Sequence, residues 1–231
     1  MDWALLILLT ALVFAFPIRT GITKELALAL GALSWIGGLI LFRRSPLPWL
    51  LSGTALGVLA WIGFAPARSY DHNRLRAEYV RNLRLYNGAK YVWGGETGLG
   101  IDCSGLIREG MIMADLKYGI ATGNPALLRE AAAIWWRDCS AVNLGEGYSG
   151  RTDFLKATDS LKELDYSALL PGDIAVTEAG AHVLAYVGQK TWIEADPNAL
   201  TGDKVIEVTA SQSRNAWLDV PMRIMRWRDL A

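Results

Sequence analysis

Three stretches near the start of this chain carry no ionised side chain: Trp3–Ile18, Leu26–Phe42 and Leu47–Ala65, of 16, 17 and 19 residues. A helix needs roughly 20 apolar residues, range about 17–25, to cross the hydrocarbon core of a bilayer. Each run is at or near the short limit, and together they predict a membrane anchor of three transmembrane helices over residues 1–66. The segment's only charged groups, Arg19, Lys24, Arg43, Arg44, Asp2 and Glu25, all fall outside the runs. Small residues at Gly31, Ala32, Gly37, Gly38, Gly53 and Gly57 permit close helix approach. Trp3, Trp49 and Trp61 lie near run ends, where interfacial tryptophan is common. Two other readings compete. A cleaved signal peptide would want a basic leading region, yet only Met1 and Asp2 precede Trp3, and no small-x-small cleavage site follows. Buried core helices are at odds with three consecutive charge-free runs joined by basic connections.

Residues 67–231 are a different material, with 19 basic and 21 acidic groups. They read as one further domain. Within it, Tyr91-Val92-Trp93-Gly94-Gly95 is followed, after seven residues, by Cys103-Ser104-Gly105-Leu106. This sets a cysteine directly after a glycine-rich loop and at the start of an apolar, helix-like run. There it faces the positive end of the helix dipole and unpaired backbone N–H groups, which favour the reactive thiolate. The chain has two histidines, His72 and His182. His182 opens an apolar, β-branched segment ending at Gly188, which reads as a buried strand. Thr191–Asp196 reads as the next. A cysteine at a helix N-terminus facing a histidine on an adjacent strand is a nucleophile–base arrangement, with a third polar group to orient the ring.

The cysteine block, then Leu170-Pro171-Gly172-Asp173, then the histidine strand and its successor come in an order that resembles the NlpC-type family of bacterial cell-wall cysteine peptidases, from about Tyr79 onward. The resemblance implies a papain-like α+β domain, its antiparallel sheet packed on the nucleophile helix, preceded here by the three transmembrane helices. It implies Cys103 as nucleophile and His182 as general base, then general acid. Glu194 stands at the family's third polar position, more often histidine, asparagine or glutamine. Asp196 is its rival, because Trp192, Glu194 and Asp196 share one strand face; Pro197 marks Asp196 as a strand end and favours Glu194. Tyr91 matches a tyrosine whose hydroxyl lies near the nucleophile and can donate to the oxyanion. Asp102 and Ser104 match positions that help hold a substrate's free amine; equally, both residue types cap helices.

Further helices are predicted at Asp71–Asn87, Cys103–Leu116 and Pro125–Arg137, the last with Asn124 as cap and Pro125 in the first position. Strands are predicted at Asp173–Thr177, His182–Val187, Thr191–Ala195, Lys204–Thr209 and Met222–Trp227. The segment 118–160 exceeds a minimal core and reads either as a cleft wall or lid, or as a packing helix with a solvent loop. Cys103 and Cys139 are the only cysteines, so no disulfide framework exists and both thiols are expected free. No cofactor or metal is implied, and a net charge of zero argues against nucleic acid.

The expected substrate is a peptidoglycan stem peptide, cut at an amide such as the γ-D-glutamyl–diamino acid bond. The bilayer is the expected partner of residues 1–66, and any envelope or secretion-machine partner is open. Three spans put the Arg19/Lys24 connection on the side of the C-terminal domain, so the positive-inside rule favours the cytoplasm. Wall cleavage requires the periplasmic side of a bacterial inner membrane, and that is the expected orientation. The alternatives are a cytoplasm-facing amidase or acyltransferase on the same fold, and a catalytically silent anchoring module of an envelope machine.

Overall fold

A computed structural model describes residues 2–198, 202–211 and 213–231. The chain begins with three helices, α1 (Trp3–Ala15), α2 (Gly21–Leu41) and α3 (Leu47–Phe64). The first apolar run falls short of its prediction. Pro17 disfavours helical backbone at the residue before it, and Phe16 is extended (φ −63°, ψ 128°). The resulting helix has 13 residues, a length of about 20 Å against a hydrocarbon core of about 30 Å. Among the described residues two helices, α2 and α3, are long and apolar enough to cross a membrane, rather than the three expected. Helix α2 starts ahead of its apolar run because Thr20 and Thr23 form a reciprocal cap. Helix α1 lies along α2: the Trp3 indole donates to Ser34 O at 2.9 Å and stands where a side chain on Gly37 would begin, 2.8 Å away.

Helix α4 (His72–Leu85) is capped by Asp71, whose carboxylate accepts from Asn73 N and Arg74 N. The short hairpin β1 (Glu96–Thr97) and β2 (Gly100–Ile101) leads into α5 (Cys103–Thr122). That helix runs past its predicted end at Leu116, because the left-handed residue that stops it is Gly123 (φ 58°). Asn124 caps α6 (Pro125–Trp136), and α7 (Ala141–Gly145) follows.

Six strands complete the chain: β3 (Thr152–Thr158), β4 (Ile174–Thr177), β5 (Val183–Gly188), β6 (Thr191–Asp196), β7 (Lys204–Thr209) and β8 (Met222–Trp227). They form one antiparallel sheet in the order β3-β8-β4-β5-β6-β7. Strand alternation gives the sheet two apolar faces. Ile174, Val176, Val183, Ala185, Ile193 and Ala195 pack towards α4, α5 and α6. Ala175, Leu184, Tyr186 and Trp192 pack beneath the loop residues Leu161, Leu164 and Leu169. Helix α5 thus lies against β5 and β6.

The segment 118–160 supplies a seat for the N-terminal helices. Helix α6 packs on both α5 and α3, and Arg129 donates to Ile62 O at 2.5 Å and Ala65 O at 3.0 Å. The connection from α3 to α4 is tied down as well: Asn124 donates to Arg68 O at 2.7 Å and accepts from Arg68 N at 3.3 Å.

Candidate active site

Cys103 is the first residue of α5 and is buried, with Asp102 as the cap. The Asp102 carboxylate accepts three donors: Gly105 N at 2.7 Å, Ser104 Oγ at 3.0 Å and, across the loop, Gly94 N at 2.8 Å. Its own N–H returns to Gly95 O at 3.1 Å. Glycine is required on both sides of this junction. Gly94 has φ +71°, and a side chain on Gly105 would begin 2.3 Å from Gly95 O. The glycine-rich loop and the first helical turn therefore form one unit, with the thiol at its edge. Asp102 and Ser104 are both consumed in that cap.

His182 sits one residue before β5, at the end of the β4–β5 turn rather than on the strand. Thr177 holds it there: its Oγ accepts from Ala181 N at 2.8 Å and His182 N at 3.0 Å. The ring is buried, 1% exposed. Glu194 Oε2 lies 2.5 Å from His182 Nε2, which leaves Nδ1 as the ring nitrogen free to serve the Cys103 thiol. Burial would lower the ring, but the hydrogen bonds to Cys103 and Glu194, and the charges on both, carry it up to about 9. Burial pushes the Glu194 carboxyl up, against the opposing effects of His182 and Asn215. The ring therefore stays charged above neutrality, between the thiol and the carboxylate.

Asp196, also buried, lies at the end of β6 and accepts from Asn198 N at 3.1 Å. Glu194 meets the ring, and Asp196 lies at the turn. Tyr91 is half-buried beside Cys103. Burial first, and then the charges of Cys103 and Asp102, push its phenol up, so it is a neutral hydroxyl donor next to the thiol. Cys103 and Cys139 are both free. Burial raises the Cys139 thiol to about 12, which leaves it unreactive at neutral pH.

Two further residues belong to the site and carry no sequence signal of their own. Asn215 donates to Glu194 Oε1 at 2.5 Å while capping the 3₁₀ turn Ala216–Asp219. Trp217, from that turn, stacks on the His182 ring at 4.4 Å between centroids and 19° between planes. Both lie in a polar loop without periodicity; an aromatic stranded among polar residues is the one hint available.

The family model for NlpC/P60 matches residues 88–224, a stretch that contains Tyr91, Cys103, His182, Glu194 and Asn215. The chain belongs to the NlpC/P60 family. Several solved structures are similar to it. NlpC2 from Trichomonas vaginalis shares 19% identity over 69% of this chain and 49% of its own, with a TM-score of 0.44. The peptidoglycan hydrolase RipB from Mycobacterium tuberculosis shares 18% over 89% of each chain, with a TM-score of 0.42. The NlpC/P60 domain of the peptidoglycan hydrolase SagA shares 21% over 64% of this chain and 97% of its own, with a TM-score of 0.37. The chain spans about half the length of the Trichomonas protein. No curated protein is similar enough to count as a match.

Proposed function

We propose that this protein is a membrane-anchored cysteine hydrolase that cleaves an amide bond in peptidoglycan stem peptides, of the γ-D-glutamyl–diamino acid type. The observation that carries the reading is the pairing of a helix-N-terminal thiol with a buried histidine backed by a carboxylate. In this mechanism the Cys103 proton resides on His182 as a thiolate–imidazolium pair, and the thiolate sulfur bonds to the scissile carbonyl carbon. The backbone N–H of Cys103 and the Tyr91 hydroxyl donate to the oxyanion. The C–N bond then breaks as imidazolium protonates the leaving amine. Water gives a proton to His182, attacks the thioester and releases the acid and the thiol. Glu194 holds the ring and stabilises its charged form. The three donors on Asp102 favour its reading, with Ser104, as the helix cap over that of a substrate amine site.

In the proposed topology α2 and α3 cross the bilayer as a hairpin with α1 alongside α2, and the catalytic domain faces the periplasm. Some of the basic groups near the domain are engaged by it, while Arg68, Arg74 and Arg81 are exposed. Lys24 pairs with Asp138 and Glu96, Arg84 with Glu207, and Arg76 donates to Leu230 O. In this topology Arg43 and Arg44, exposed at the α2–α3 turn, orient the hairpin, with that turn in the cytoplasm. The test is digestion of purified muropeptides by the full-length protein. Wild type should release a new free amine and Cys103→Ala none; equal release by both would overturn the mechanism. Paired reporters fused after Ala231 should be active only as the periplasmic type, and cytoplasmic activity would overturn the topology.

A further inference from the structure

The loop that caps the nucleophile helix has a second edge, and the connector between α1 and α2 occupies it. Glu96 N donates to Pro17 O at 2.9 Å and Arg19 N to Gly94 O at 3.3 Å, with Ile18 and Gly95 paired as an antiparallel bridge. Gly94 and Gly95 are thus bonded on one side to Asp102, next to Cys103, and on the other to the connector. An extended segment left unpaired there would expose backbone donors and acceptors; the connector covers them as an added strand.

Just beyond, at the first turn of α2, Lys24 enters the domain. Its ammonium pairs with Asp138 and lies 3.5 Å from Glu96 Oε2. Glu96 also pairs with Arg108, which is on α5 and donates to Ile134 O at 2.7 Å and Arg137 O at 2.9 Å. Lys24 and Arg108 are 2% and 1% exposed. Lys24, Arg108 and Glu96 are the buried members of this cluster, the Asp138 side chain is about half exposed, and the buried Glu109 also feels both cations. Removing one member of a buried ion cluster leaves an uncompensated charge and is strongly destabilising locally.

We infer that the N-terminal hairpin completes the active site: the Pro17–Lys24 connector holds the glycine-rich loop against the nucleophile helix, and Lys24 is a positioning residue that pins Glu96. The inference rests on the reading of Cys103 as nucleophile. It makes residues 1–66 part of the catalytic frame, beyond a tether.

The test uses the full-length protein in bilayer discs, with iodoacetamide as a probe of Cys103, read by peptide mass, and muropeptide hydrolysis alongside. Lys24→Met should slow Cys103 alkylation about tenfold and lower kcat about tenfold with KM within about twofold, the pattern of lost positioning. Lys24→Arg should restore both. Lys24→Met combined with Glu96→Gln rebalances the cluster by leaving Arg108 with Asp138. It should recover the thermal stability of the wild type while alkylation stays slow, which separates positioning from folding. Wild-type alkylation and kcat in Lys24→Met, or full recovery of both in the double variant, would overturn the inference. Alkylation that depends on Lys24 in a protein that cleaves no muropeptide would uphold it and refute the substrate assignment instead.

Discussion

Glu194 on β6 and Asp115 on α5 are both fully buried acids, 0% exposed, and they differ in company. Glu194 is held by His182 and Asn215. Asp115 has no hydrogen-bond partner on either carboxyl oxygen among the described residues. Burial raises both carboxyls; at Asp115 nothing opposes it, and Asp229 and Glu130 push the same way. Burial thus pushes the Asp115 carboxyl towards its neutral form, while Glu194 shares a proton with the His182 ring. A buried acid by itself marks no site. Its donors do, and in this protein they separate the reactive end of α5 from a point about 18 Å further along the same helix.

The comparison breaks first at the ring. His182→Ala should lower kcat/KM by about 10⁴-fold, whereas Asp115→Asn should leave it within about twofold; steady-state muropeptide hydrolysis reads both. Next is the carboxylate. Glu194→Gln keeps a hydrogen bond but removes the charge that favours imidazolium, so kcat should fall about tenfold. Imidazolium is needed to protonate the leaving amine, so the alkaline limb of activity should lie near pH 9 in the wild type. In Glu194→Gln it should move down towards 6.5, the ordinary histidine value, as a pH–rate profile will show. The same sign governs stability: the raised histidine stabilises the fold fully below pH 6.5, and that contribution is lost as pH rises through about 9.

At the other end of α5 the expected change is in folding. Burial disfavours the charged form of Asp115 in the folded chain, so Asp115→Asn should raise stability at pH 7. The gain should shrink as pH falls towards 4, by thermal or denaturant unfolding. The smallest effect belongs to the cap: Asp102→Ala should cost about 1 kcal/mol by the same measurement.

The candidate site residues were legible because each carries a local chemical signal: glycines before a thiol, a histidine opening an apolar segment, a carboxylate within the next strand. Parity alone left Glu194 and Asp196 equivalent, and what separates them is a turn at Asn198. Strand β3 escaped notice because most of its side chains face solvent and it is defined by pairing with β8, some 70 residues on. The short α1 was written in Pro17, which a count of uncharged residues overlooks. The union of Lys24 with Glu96 and Asp138, and of Asn215 with Glu194, joins residues far apart in a single sequence, where only the folded chain brings them together.

Seven residues, Ala65 to Asp71, link α3 to α4. Slack chain of that length would span about 24 Å, but Arg129 grips Ala65 and Asn124 grips Arg68 from both sides. In the proposed setting, then, the enzyme has no leash. Its working radius is the thickness of its own body above the bilayer, and it can trim only those wall strands that come down to the membrane face.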